Sequence, residues 1–115
     1  MKWLSLLLLF VLGLTACKTE QESRPAALIP QQKMVSIMAD IHMAEGIISA
    51  KEYSKDSSLL LFAELENQML AKHGVSKKEF KESYNWYVSH VNEYKALYTI
   101  VVDTLNVRTS EGKVQ

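Results

Sequence analysis

From Gln31 to about Asn106 apolar residues recur at steps of three and four, the spacing that lays side chains along one side of an α-helix. In the first such stretch, QQKMVSIMADIHMAEGIISAKEY, Pro30 occupies a position that favours a helix start, and no breaker follows until Gly46. Advancing about 100° per residue from Met34 brings Met38, Ile41, Glu45 and Ile48 within about 40° of it. The apolar stripe therefore contains a carboxylate. His42 stands at its edge, about 80° round, whereas Asp40 projects about 120° the other way. Within ADIHMAEG, His42 and Glu45 share a face at i,i+3 and Asp40 does not.

SKDSSLLLFAELENQMLAKHGV predicts a second helix, with Asp56 or Ser57 as its cap, Phe62, Leu65, Met69 and His73 on one face, and Gly74 at its end. His73 in the last turn suits the negative end of the helix dipole. Ser76 and Glu79 then have the spacing of a capping box ahead of a third apolar run. From there Phe80, Tyr84, Tyr87, Val91, Tyr94, Tyr98, Val101 and Leu105 alternate steps of four and three, which gives one stripe if the helix is unbroken. Ser89 and Asn92 are both good caps, and they favour two helices separated near Ser89–Asn92. After Asn106 the chain turns polar and is expected to fray. No hairpin chemistry and no repeat of 20 to 50 residues accompanies these stretches, so the expected fold is all-α, a small bundle of three to four helices.

The start of the chain belongs to a different pattern. MKWLSLLLLFVLGLTAC has one cation at Lys2, an apolar run from Trp3 to Leu14 broken by Ser5 and Gly13, and small residues before a cysteine. That is the layout of a secretory signal, and the run is short for a membrane span of about 20 residues. Leu14, Thr15, Ala16 and Cys17 are similar to the bacterial lipobox, in which the cysteine sulfur is acylated and becomes the mature N-terminus. Cys17 is the only cysteine, so the chain has neither an internal disulfide nor a Cys cluster for metal. Two or three acyl chains, at about 0.8 kcal/mol per buried CH₂, make a stable anchor. The expected organisation is a signal peptide over 1–16, acylated Cys17 and a polar tether to residue 27, a helical domain over 28–108, and a frayed tail over 109–115. A tether of ten residues at about 3.5 Å each reaches on the order of 35 Å.

With 115 residues the chain has room for one small core. Thirteen basic and thirteen acidic residues balance, so no global field draws nucleic acid, which is not among the expected partners. An apolar content of 48% exceeds that of a disordered chain.

The lipobox, IPQQKMVSIMADIHMAEG, KHGVSKKEFKESYNWY and EYKALYTIVVDTLN together resemble a family of small Bacteroidota lipoproteins, domain of unknown function 4296, over about residues 28 to 108. Asp40, His42, Ala44 and Glu45 occupy the places of that family's D-x-H-x-A-E pattern. The resemblance implies a Gram-negative envelope lipoprotein with a helical fold, and it supplies no mechanism. The family pattern also places a proline near the start of the last helix, which SHVNEY lacks.

Glu45 is the first candidate for a binding or buried polar residue, with His42 and Asp40 beside it. An unpaired carboxylate in an apolar face costs several kcal/mol, so it needs a partner, a proton or a gap in the packing. The partners within sequence reach are His42, His73, Tyr84, Tyr87 or a lysine. One Glu/His pair with His73 and His90 elsewhere falls short of the paired motifs of helical carboxylate metal sites, so no metal and no cofactor is expected. No nucleophile elbow, phosphate loop or His-Glu-x-x-His occurs, and catalysis is not expected. Met43 and Ile47 lie on the reverse of the first helix, Leu60 on that of the second, and Trp86 about 120° from the tyrosine stripe. They belong either to a wider core or to an interface.

The function expected is that of a non-enzymatic, lipid-anchored interaction or accessory module with an envelope protein as partner. Lys18 after the cysteine, where the enterobacterial retention rule has aspartate, points to the outer membrane facing the periplasm. The alternatives are a chaperone-like binder of unfolded envelope proteins, since AKHGVSKKEFKESYNWY is similar to the N-terminal helices of periplasmic folding factors, and a ligand or metal site on Glu45 and His42.

Overall fold

The computed structural model describes residues 23–113, which form four helices: α1 (Gln31–Ser49), α2 (Lys55–Lys72), α3 (Lys77–Ser89) and α4 (Val91–Lys113). The signal segment, Cys17, the tether through residue 22 and residues 114–115 lie outside the described residues. The fold is an all-α small bundle. Helix α1 packs against α2 and α4, and α3 closes the ring by packing against the same two. Met34 and Ile37 of α1 meet Leu97 and Val101 of α4 in the centre, with Leu70, Val75, Trp86 and Tyr87 in the same cluster.

Each helix boundary has a local cause. Helix α1 starts behind Pro30 without a side-chain cap, and the segment before it is held from across the bundle instead. The Ile29 amide donates to Ser83 Oγ at 2.9 Å, and the Tyr87 hydroxyl donates to the Ile29 carbonyl at 2.8 Å. Burial raises the Tyr87 pKa, so the hydroxyl keeps the proton it donates. Packing begins earlier than the expected tether boundary. The Leu28 amide donates to the Pro25 carbonyl, and the Arg24 guanidinium lies 5.5 Å from the centre of the Trp86 ring.

Helix α2 is capped by Ser54, whose hydroxyl accepts from the Ser57 amide, so the helix starts ahead of the expected Asp56 or Ser57. Its end is a Schellman motif. Gly74 at φ 65° lets its own amide donate to Ala71 and the Val75 amide donate to Leu70, while the side chains of Val75 and Leu70 join the core. The Ser76/Glu79 capping box opens α3 as expected, with both reciprocal bonds made.

The break between α3 and α4 falls at His90, with φ −111° and ψ 85°, and needs no proline. Ser89 acts at the end of α3 rather than as a cap for α4: its hydroxyl donates to the carbonyls of Asn85 and Trp86. His90 Nδ1 donates to the same Trp86 carbonyl at 2.7 Å. The break resets the phase of the stripe. Val91 is left exposed, and Leu97 enters the core where a continuous stripe would have used Val91 and Tyr98. Helix α4 then continues to Lys113, through residues expected to belong to the tail. Thr109 and Ser110 bond back to their own helix, and Arg108 is tied to α1.

Candidate functional site

Three groups of side chains hold the candidate chemistry. The first is centred on Asp40, which the sequence pattern turns away from His42 and Glu45. Asp40 faces the junction of three elements. Its Oδ1 accepts from Arg108 Nη1 of α4 at 2.7 Å, and its Oδ2 accepts from His73 Nε2 at 2.8 Å, just beyond α2. Lys72 Nζ approaches the same oxygen at 3.4 Å but is itself largely exposed. The Asp40 side chain is 14% exposed. Burial by itself would raise its pKa, but the bonds from His73, Arg108 and Lys72 outweigh that and hold the carboxyl below its ordinary range. Asp40 is a partly buried carboxylate that ties α1 to both of its neighbours. Arg108, placed in the domain's last position by sequence, stands seven residues after buried Val101, and the helical phase of α4 puts it on the inward face.

The second group holds His42 and Glu45. They do pair, with Nδ1 of His42 donating to Oε2 of Glu45 at 3.1 Å. The expectation of a buried Glu45 fails, however: its side chain is 48% exposed, although Met34, Met38 and Ile48 of the same stripe are buried, together with Ile37 and Ala44. His73, considered as a partner for it, is engaged by Asp40. The pair lies at the mouth of a cleft of about 290 Å³ to which all four helices contribute. Met38 and Ile41 line its α1 side, Glu66 its α2 side, and Phe80, Tyr84, Tyr94 and Tyr98 the rest. Phe80 stacks on Tyr84 and Tyr94 on Tyr98, while the His42 ring meets Tyr98 edge-on at 6.3 Å. Burial and the neighbouring Tyr84 and Tyr98 phenols push the Tyr94 pKa up, so it stays a neutral hydroxyl. Glu66 and the tyrosine cluster escaped notice as a site because each lies on a different helix, and only the packing joins them.

The third group is a groove of about 470 Å³ between α1 and α2. Met43 and Ile47 face Leu65 and Met69 across it, and Asp40, Gln68 and Lys72 form its polar end. Met43 and Ile47 are 41% and 56% exposed, so they are not part of a wider core. Trp86 is part of the core: it is 9% exposed, packed edge-on to Tyr87 and stacked on the His90 ring at 4.0 Å. A middle helix of the ring buries two faces, and Trp86 is on the second of them.

No three His, Cys, Asp or Glu side chains converge among the described residues in a way that would hold a metal ion. Ser89 Oγ and His90 Nδ1 approach to 3.4 Å, but both are used on α3 carbonyls, which is a helix end and not a nucleophile with its base. No described helix is long and apolar enough to cross a membrane. No curated protein and no solved structure matches the chain. A family model matches residues 25–111, which takes in the Pro25–Ile29 approach, the ring of helices as far as residue 111 of α4 and the Asp40–Arg108 tie, and by that match the chain belongs to the family described as Domain of unknown function (DUF4296).

Proposed function

We propose that this protein is a non-enzymatic, lipid-anchored module of the bacterial cell envelope that receives an amphipathic helix of a partner protein in the α1–α2 groove. The observation that carries the reading is the groove itself. Met43, Ile47, Leu65 and Met69 leave a linear apolar trough open between two helices, with methionines that adapt their shape to what they meet. Lys72 and Arg108 stand against one carboxylate, Asp40, at its polar end, which favours a partner helix with an acidic residue at that end.

The anchor comes from the sequence alone, in the LTAC motif at Leu14–Cys17. The resemblance of the sequence to small Bacteroidota lipoproteins and Lys18 after the cysteine support attachment to the outer membrane on its periplasmic side. Because Arg24 already packs on Trp86, only seven residue steps separate it from Cys17. At about 3.5 Å each they hold the α3–α4 corner within about 25 Å of the bilayer, closer than a fully free tether to residue 27 would.

The test is site-directed photocrosslinking from Ile47 in native membranes, with Met43→Asp and Cys17→Ala as controls. One stoichiometric adduct that disappears in both controls is the expected result. Unchanged capture in Met43→Asp removes the groove from the reading. A smear of many substoichiometric clients would favour a chaperone instead.

A further inference from the structure

We propose that the four-helix cleft beside His42 binds an organic cation, an alkylammonium or guanidinium group, with its charge held between Glu45 and Glu66 and its body against the rings of Tyr84, Tyr94 and Tyr98. This site is separate from the α1–α2 groove and does not depend on it. Its walls decide the sign of the ligand. Two carboxylates line the cleft, and neither lysine nor arginine does. Among the described residues Glu66 has no ion pair, and Glu45 uses one oxygen on His42 and leaves the other available. An anion placed there would meet two carboxylates, with His42, already bonded to Glu45, as the one basic group on the wall.

The walls also decide that the cation is organic. Four aromatic residues in two stacked pairs, with ring centroids 6.1 and 5.8 Å apart, line a space that a hydrated inorganic ion has no use for. Aromatic faces attract a cation through their quadrupole. Met38 and Ile41 complete an apolar side for the carbon stem of the ligand. The volume of about 290 Å³ suits a group the size of a lysine or arginine side chain or a short amine, and excludes a nucleotide. The phenol of Tyr94, kept neutral, adds an acceptor without adding charge.

The same chemistry comes from two sources, a free small amine or a basic side chain of a partner protein, and one titration series separates them. The full-length lipidated protein in nonionic detergent is titrated calorimetrically with n-butylammonium, n-butylguanidinium and the neutral 1-butanol. Saturable one-to-one binding of the cations, at least tenfold tighter than 1-butanol, is expected. Glu66→Gln and Glu45→Gln are expected to weaken it about fivefold or more each with unchanged melting, and Tyr98→Ala by a similar factor. Spermidine binding more tightly than an N-acetyl-lysine amide identifies a free amine as the source; a lysine peptide binding more tightly than either identifies a partner side chain. The proposal is overturned if 1-butanol binds as well as the cations, if the cations do not saturate up to about 0.1 M, or if the Glu45→Gln/Glu66→Gln pair leaves the affinity unchanged.

Discussion

Asp40→Asn is the substitution that tests the architecture most directly. The carboxylate is the only charge that α1 offers at this junction, and it accepts from Arg108 at 2.7 Å and His73 at 2.8 Å while 14% exposed. Asparagine keeps the shape and one acceptor oxygen, but turns an amide donor toward a second donor. Hydrogen bonds to charged groups contribute about 1.5 to 3 kcal/mol each when buried. Lys72 is 70% exposed and is counted as nearly nothing, and Arg108 at 32% exposed is partly rehydrated when the bond is lost. The expected loss is about 2 kcal/mol, which for a domain of this size lowers Tm by about 8 to 16 °C.

The measurement is thermal and urea unfolding of a chain beginning at Lys18, followed by a double-mutant cycle with Arg108→Ala. A coupling of about 1 kcal/mol or more is expected. Loss of less than about 0.5 kcal/mol, or strict additivity of the two changes, would mean that the hub is a surface decoration and that the apolar core alone sets the packing of α4 on α1. The pH dependence gives an independent reading. The folded-state pKa of Asp40 lies below its ordinary value of 3.8, so its contribution is fully present above that pH and disappears as pH falls through the depressed folded value. The difference between Asp40→Asn and the parent chain should therefore narrow as the pH falls below the ordinary aspartate value. A gap that did not narrow at all as the pH fell below the ordinary aspartate value would refute the assignment to the ionised carboxylate.

Trp86→Ala should cost about 3 to 5 kcal/mol in the same unfolding measurement, because the indole is packed between Tyr87 and His90 inside the core. An unchanged melting temperature would return Trp86 to the surface. Ser83→Ala leaves the Ile29 amide without its acceptor at a fully buried position and should cost about 1 to 3 kcal/mol, with Tyr87→Phe costing about 1. Hydrogen exchange at the Ile29 amide should accelerate in Ser83→Ala before α2 is affected; equal acceleration throughout would show that the clamp does not act locally.

Much of the fold was legible because its punctuation is local. Gly74 and the Ser76–Glu79 box need only neighbouring residues to act, and they fall where the sequence puts them. The break at His90 was legible in position but not in cause. Ser89 looked like an N-cap, yet hydroxyl groups of serine bond equally well to the carbonyls one turn behind, and here they finish α3 instead of starting α4. Once the break resets the helical phase, Val101 stays inward with Tyr94 and Leu105 packed beside it, but the inward face takes in Leu97 and Arg108, which were not read as inward, and drops Val91, which was.

The candidate sites were less legible for a reason that lies in how bundles assemble. A helical wheel assigns each residue to one face of one helix, and it assumes a single buried stripe. Helix α1 is covered by α2 on one flank and α4 on the other, so its buried surface spreads from Met34 and Ile37 to Ala44, and Glu45 is released from the core to the cleft mouth. The residue that does carry a charge into the packing, Asp40, is partly buried and lies on the flank that the wheel left polar. Its partners are 32, 33 and 68 positions away. The Glu45–Glu66 cleft has the same character, since its carboxylates and rings come from four helices that the α2–α3 turn and the His90 break bring into register. A change at either joint, far from any lining residue, should therefore disturb the cleft before it disturbs the α1–α2 groove, whose walls are neighbours in sequence joined by one short turn.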